Sequence, residues 1–355
     1  MNNDRIQEIL DLMEEARLDY FLISDPQSIA YCTGYYNDPH ERMFVFMISK
    51  HGNHTLFMND LFYLDHDLDV NIVWHKDGQD AIQTIVDEMH FPGRIGIDKN
   101  WASHFLLDLM KKLPDAKYIN ASPCVDLVRM KKDLQEQVLM IESSKINDAV
   151  MEEIIPFIQE GVTEKQLAKK LDELFFNHHS TCYGAIVAFG KNAADPHHEN
   201  DDTLLRKGDC VLIDMGCIYK GYCSDMTRTF FYEGILEEEI KVYEIVKKAN
   251  EAAEVMIKPG VKLSDIDKCA RKVISDEGYG KYFTHRLGHF IGRDVHEYGD
   301  VSSVNEMEVE EGMIFSIEPG IYLEGNFGVR VEDLVMVTKD GCQVLNSFTK
   351  DIYII

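Results

Sequence analysis

The first apolar positions to recur are Ile6, Ile9, Leu10 and Met13, which share one face of a helix over residues 4–17 with Asp4 as its expected N-cap. Tyr20-Phe21-Leu22-Ile23 is a short unbroken apolar run and reads as a strand. Met43 to Met47 and Thr55 to Met58 flank the turn-like His51-Gly52-Asn53, a pattern that predicts a hairpin. Arg94-Ile95-Gly96-Ile97-Asp98 predicts a further strand, and the helical stretches in between complete an α/β pattern over residues 1–123.

The pattern changes after Ser122-Pro123. A long helix is predicted from Asp133 through Val138, Ile146 and Val150, so the boundary is placed between a first domain, residues 1–123, and a second, residues 124–355. The second domain contains a faint echo of itself. Gly161-Val162-Thr163 opens a helix carrying Leu167, Leu171 and Leu174, and Gly260-Val261-Lys262 precedes another carrying Ile266, Val273 and Ile274. Thr163 and Ser264 are the expected N-caps, with Gln166 and Asp267 three residues later.

Composition narrows the functional classes. The 355 residues match about two domains of ordinary size. Acidic residues outnumber basic ones 62 to 36, for a formal charge of -26, so the surface repels phosphate backbones and anionic headgroups. Nucleic acid and membrane are therefore not expected partners. No apolar run is long enough to span a bilayer, and the N-terminus lacks the basic and apolar regions of a signal peptide. The eight cysteines are scattered without a C-x-x-C pair, as in a reducing cytoplasm.

Carboxylates in apolar strands supply the candidate chemistry. Cys210-Val211-Leu212-Ile213-Asp214 buries an ionisable group, which is costly unless it is paired or bound to a cation. A tight turn centred on Tyr219-Lys220 sets Asp225 opposite Asp214, on the same sheet face. Farther on, a turn centred on Gly325 pairs Glu318 of Ile317-Glu318-Pro319-Gly320 with Glu332 of Arg330-Val331-Glu332-Asp333. Like charges opposite one another destabilise a bare hairpin, and two hairpins with that fault point to cations. Arg330 shares the face of Glu332 and is placed to brace the carboxylates.

Seven of the 14 histidines lie between 178 and 296. His285 and His289 have zincin spacing, but Arg286 stands where that motif has Glu, and Gly288 opposes a regular helix. Upstream, the loop Gly190-Lys191-Asn192-Ala193-Ala194-Asp195-Pro196 ends in His197 and His198. Oxygen-rich ligation with one imidazole suits manganese or cobalt(II), with iron or zinc as alternatives.

Taken in order, Asn192-Ala193-Ala194 with Pro196-His197, Leu212 to Gly216, Gly221 to Thr229, Gly288-His289, Val295-His296-Glu297, Ile317 to Gly320 and Arg330 to Asp333 resemble the metallopeptidases of the pita-bread fold. Within that family the likeness is to prolidase (Xaa-Pro dipeptidase) and aminopeptidase P. It covers about 124–355, and residues 1–123 look like the family's creatinase-type N-terminal domain. The implied fold class is α/β (α+β), with a creatinase-like N-terminal domain followed by a pseudo-two-fold pita-bread catalytic domain; the symmetry gives the helix echo a cause.

The resemblance implies five metal ligands, Asp214, Asp225, His289, Glu318 and Glu332, for two divalent ions per subunit, with Mn2+ expected and Co2+, Zn2+ or Fe2+ as alternatives. Asp225 and Glu332 are the implied bridges. Glu318 is also the implied proton shuttle, His197 the substrate-orienting and proton-handling histidine, and His285 and His296 the lining of the substrate side. Phe290 replaces a common glycine and is expected to narrow the cleft. Arg293 is expected either to attract an acidic substrate group or to pair with Asp294 or Glu297. The implied reaction is hydrolysis of Xaa-Pro dipeptides by a metal-bridging hydroxide, in a cytoplasmic homodimer. Aminopeptidase P activity on longer peptides is the alternative. A non-catalytic binding module is a third reading, opposed by the presence of all five ligand positions. The polar Asp38-Pro39-His40-Glu41-Arg42 segment is expected to be a solvated loop, the other reading being one that shapes a partner's site.

Overall fold

The computed structural model describes residues 1–64, 66–90 and 92–355 and divides into two units, Met1–Arg129 and Met130–Ile355. In the first, six strands form one mixed sheet in the order Asn71–His75, Thr55–Asn59, Val45–Ser49, Tyr20–Ile23, Arg94–Ile97, Lys117–Asn120. Alternate side chains feed two cores. Phe21, Ile23, Phe46, Ile48, Leu56 and Met58 join the helices Asn3–Glu15, Pro26–Thr33 and Ser122–Met130, while Tyr20, Leu22, Val45, Met47 and Phe57 meet Ala81–Glu88 and Ser103–Lys112. A strand covered on both faces reads as a continuous apolar run, as Tyr20–Ile23 does.

Two boundaries differ from expectation. The first helix starts at Asn3, because the Asn2 side chain caps it by accepting from the Arg5 N–H; Asp4 lies within its first turn. Ser122-Pro123 opens the helix Ser122–Met130, whose Cys124, Val125 and Val128 belong to the first unit's core, so the division falls at 129/130. Proline is tolerated in a helix's first turn, where its missing N–H costs nothing. In the Asp38–Arg42 loop, Arg42 pairs with Glu41 and Asp77. All eight cysteines are free, and among the described residues no helix is long and apolar enough to cross a membrane.

The second unit runs through one element order twice. Helices Leu134–Ile154 and Glu164–Asn177 precede the strands Ile186–Phe189, Cys210–Met215 and Met226–Phe231; helices Glu237–Met256 and Leu263–Asp276 precede Gly288–His289, Ile314–Ile317 and Asp333–Val337. Backbone bonds repeat as well. Gly161 N–H donates to Leu205 O and Leu205 N–H to Val162 O, as Gly260 does to Val309 and Val309 to Val261. The offset between Leu205 and Val309 also separates the positive-φ turns at Gly208 and Gly312, and it separates Asp214 from Glu318. The caps are less alike. Thr163 forms a capping box with Gln166, whereas Lys262 occupies the second N-cap and Ser264, expected there, sits inside the helix and donates to Glu306.

Register decides which carboxylates meet. In the second hairpin Gly320 pairs with Arg330 and Ile317 with Asp333 around the positive-φ Gly325, so Glu318 and Glu332 occupy opposed positions between the two ladders, as expected. In the first hairpin Tyr219 pairs with Tyr222, and Lys220 and Gly221 both take positive φ, the geometry of a two-residue type I′ turn. That turn is centred one residue later than expected. Thr227, not Asp225, therefore faces Asp214. A shift of two partners preserves the face, so Asp225 remains a diagonal neighbour of Asp214.

The two halves interlock through Arg228 and Asp333, which are fully buried and 2.7 Å apart. All five N–H groups of Arg228 are used: the others reach the carbonyls of Thr227, Glu332, Phe348 and Thr349. Thr227 and Glu332 are joined twice, Glu332 N–H to Thr227 O at 3.1 Å and Thr227 Oγ1 to Glu332 Oε2 at 2.6 Å. Lys350 also pairs with Asp333, at 2.7 Å, so removing Arg228 leaves this buried carboxylate with a single cation and strands the four carbonyls that Arg228 serves. Arg228→Met is expected to cost about 3–5 kcal/mol in urea unfolding of the metal-free protein; an unchanged midpoint contradicts this role.

Candidate metal centre

The first hairpin supplies Asp214 and Asp225 and the second Glu318 and Glu332. His289 is carried by a two-residue strand pressed onto Ile314–Ile317, with its N–H on Ser316 Oγ at 3.0 Å and Leu287 O accepting from Glu318 N–H at 2.8 Å. Only glycine allows this approach at position 288, where a Cβ would lie 1.9 Å from Ser316 O. The His289 Nε2 atom is 3.5 Å from Asp225 Oδ2 and 3.7 Å from Glu318 Oε1. Ligand atoms of Asp225, His289 and Glu332 all lie within 4.8 Å of one another. These three are buried, whereas the side chains of Asp214 and Glu318 are 23% and 17% exposed and mark the open side.

Neighbouring groups orient the cluster. His289 Nδ1 lies 3.2 Å from Phe290 O; a proton there donates to the carbonyl and leaves the Nε2 lone pair toward the carboxylates. Arg330 reaches Asp214 Oδ2 at 2.6 Å, Thr227 Oγ1 at 3.0 Å and the Tyr322 hydroxyl at 2.9 Å. The Tyr322 hydroxyl is 2.9 Å from His285 Nε2, and His285 Nδ1 is 2.7 Å from Arg286 O. A directed chain accounts for these contacts: Arg330 donates to Tyr322, Tyr322 to His285, and His285 to a carbonyl. Both ring nitrogens of His285 are thereby engaged.

One guanidinium cannot neutralise four carboxylates. Burial, strengthened by the neighbouring acids, raises Asp214 and Glu332 against Arg330, and takes Glu318 from 4.5 to about 7 against His289 and Arg330. Burial lowers the His289 imidazole, but Asp225 and Glu318 outweigh it and raise the net value. The donor set, four hard carboxylates and one free imidazole nitrogen around an under-compensated charge, fits divalent cations.

A second group, Glu164, His198 and Asp201, also brings ligand atoms within 4.8 Å. There the two Glu164 oxygens already accept N–H groups from Phe189, Asn192, His198 and Asp201, so the group is a hydrogen-bonded clamp.

The remaining expected residues separate. His197 is exposed, and its charge bears on both His285 and His296. His296 packs edge-on against His289, ring centroids 4.2 Å apart; burial and then His289 lower it to about 4, as burial and then Arg330 lower His285 to about 4. Phe290 does not line the cleft: it is fully buried, with its ring 5.3 Å from that of Phe315. Arg293 lies 5.4 Å over the Tyr222 ring and against Gly221, at the tip of the first hairpin. Glu297 accepts from the Arg293 backbone N–H and pairs with Lys132 at 2.9 Å. Sequence reading missed Thr227, Tyr322 and Glu164. The first two were reachable by register, since Thr227 faces Asp214 and Tyr322 is diagonal to Arg330.

Comparison with known proteins gives two family matches: Metallopeptidase family M24 over residues 138–339 and the Creatinase/Prolidase N-terminal domain over residues 5–131. An uncharacterized peptidase of Staphylococcus aureus is 35% identical, over 98% of this chain and 99% of its own. Among solved structures, a dipeptidase from Pyrococcus horikoshii OT3 superposes with a TM-score of 0.93 at 35% identity, covering 99% of this chain and 100% of that one. The Xaa-Pro dipeptidase from Bacillus anthracis also gives 0.93, at 28% identity and 99% of both chains. The X-Pro aminopeptidase from Thermotoga maritima MSB8 gives 0.85 at 29% identity, covering 97% of this chain and 100% of that one.

The raised carboxyls set a sign for metal binding. With Glu318 at about 7 against 4.5, the metal-free native state holds protons that the unfolded chain has lost between those values, so its stability falls as pH rises through that window. Cations replace the protons. Mn2+ is therefore expected to raise the melting temperature more at pH 8 than at pH 5 in paired scans with and without metal; an equal or reversed increment contradicts the electrostatic account.

Proposed function

Because the chain belongs to metallopeptidase family M24, we propose that it hydrolyses Xaa-Pro dipeptides to a free amino acid and proline, with two divalent cations held by Asp214, Asp225, His289, Glu318 and Glu332. The observation that carries this reading is the convergence of four carboxylates and one correctly oriented imidazole in a buried, under-compensated site. Likeness along the whole chain to a dipeptidase and to an Xaa-Pro dipeptidase supports the substrate class. In this reading the carboxylates of Asp214, Asp225, Glu318 and Glu332 and the His289 imidazole would hold the ions. Manganese is the expected metal. A cytoplasmic homodimer is part of this reading, on the family likeness alone.

When bound, such cations supply Lewis acidity to the scissile carbonyl and lower the pKa of water toward neutrality. The protein groups then divide the remaining work. Glu318, whose side chain is partly open, takes a proton from water and passes it toward the departing proline nitrogen. Neutral His296 offers an N–H to the carbonyl oxygen as negative charge develops there. The exposed His197 orients the dipeptide. His285 has both nitrogens committed, so it sets the Tyr322 hydroxyl and, through it, Arg330 against Asp214. An Xaa-Pro bond is a tertiary amide without an N–H, so a site acting through its carbonyl needs no donor from the substrate.

The Mn2+-reconstituted protein is expected to cleave Leu-Pro with a kcat/KM at least about tenfold above that for Leu-Pro-Gly. Preference for the tripeptide, with release of leucine, assigns aminopeptidase P activity instead.

A further inference from the structure

The reaction residues leave one fully buried carboxylate unexplained. Glu164 opens the helix Glu164–Asn177 and is 0% exposed. Its Oε1 accepts from Phe189 N–H and Asn192 Nδ2, both at 2.9 Å, and its Oε2 accepts from His198 Nε2 at 2.6 Å and Asp201 N–H at 3.0 Å. A carboxylate has about four lone-pair sites, so its acceptor capacity is filled. Every donor comes from residues 189–201, the segment that carries His197.

The repeat within the second unit shows that the fold does not require a carboxylate here. Glu164 N–H bonds to Thr203 O, two residues before Leu205, and the matching bond in the second half runs from Leu263 N–H to Met307 O, two residues before Val309. Leu263 is the counterpart of Glu164 and is also fully buried. An apolar side chain thus suffices to start and bury this helix. The acid is present only in the half whose following segment bears His197.

That segment is held from its other side too. Arg330 Nη1 donates to Pro196 O at 3.4 Å, and Gly328 approaches so closely that a Cβ would lie 1.9 Å from Ala193 O. His197 itself is exposed, with its backbone N–H on Asp195 Oδ1 at 3.0 Å, so its place is set by the segment's backbone.

We propose that Glu164 is a positioning residue for His197: its buried carboxylate gathers four donors of the 189–201 segment and fixes where the His197 ring stands at the rim of the metal centre. This rests on the reading of His197 as the group that orients substrate. Glu164→Gln keeps the shape but exchanges one acceptor for a donor facing donors. A misplaced orienting group costs rate out of proportion to the displacement, about 10- to 100-fold.

The test is a double-mutant cycle on Leu-Pro hydrolysis by the Mn2+-loaded enzyme, using wild type, Glu164→Gln, His197→Ala and the double variant, with metal content and melting temperature measured for each. The proposal expects Glu164→Gln to lower kcat about 10-fold or more with metal content unchanged, and to add less than about twofold once His197 is gone. His198→Phe, which removes one donor and leaves the carboxylate, is the milder variant if Glu164→Gln fails to fold, and it is expected to show the same dependence on His197. A second readout needs no substrate: in protein labelled with 15N-histidine, the His197 ring resonances shift or split in Glu164→Gln while those of His75, in the first unit's sheet, hold. Equal losses of kcat in both backgrounds, or His197 resonances that do not move, overturn the proposal. Should wild type cleave no Xaa-Pro dipeptide, the functional reading fails and the resonance measurement alone decides the role of Glu164.

Discussion

Buried like charge is the constraint on which the second unit turns. Asp225 and Glu332 are almost entirely removed from water, Asp214 and Glu318 stand beside them, and the positive groups in contact with the cluster are Arg330 and His289. Ionised carboxylates in such a place are tolerable only with compensating charge. Arg330 serves Asp214 and the Thr227 hydroxyl serves Glu332, but each oxygen can be satisfied in this way only in part. What remains is a site with more buried negative charge than its neighbours compensate.

The internal repeat explains how one chain assembles such a cluster. Corresponding strands begin after corresponding glycine turns, at Gly208 and Gly312, and deliver Asp214 and Glu318 to equivalent places. Returning strands then differ in a complementary way. Where the first half has Thr227 and Arg228, the second has Glu332 and Asp333, and each pairs with its counterpart across the pseudo-two-fold. Two residues earlier, Asp225 in one half answers Arg330 in the other. Symmetry supplies the scaffold, and charge asymmetry supplies the chemistry.

Much of this was legible in the sequence for definite physical reasons. Gly325 marks a turn that requires positive φ, and the register it implies, Glu318 against Glu332, agrees with the ladders on either side. The first hairpin was misread by two partners because Lys220, a residue that seldom adopts positive φ, shares the turn with Gly221. The face survived because a slip of two keeps side-chain parity. Phe290 misled through its neighbour: His289 ends its two-residue strand and faces the carboxylates, while Phe290, next in the chain, bridges to Phe315 and packs its ring there. Glu164 carried no local signal, since its partners lie 25 to 37 residues away.

The net charge of -26 belongs mainly to other residues, since four of 62 acids form the cluster. The overall charge is therefore a property of the chain at large, and the cluster is a local feature within it. The central claim is that the five residues hold two divalent ions, and anomalous X-ray scattering at the manganese edge from crystals of the Mn2+-loaded protein tests it most directly. The account predicts two peaks, both contacted by Asp225 and Glu332, with Asp214 at one and His289 and Glu318 at the other. No peak among these residues, or manganese bound only at Glu164, His198 and Asp201, would contradict it.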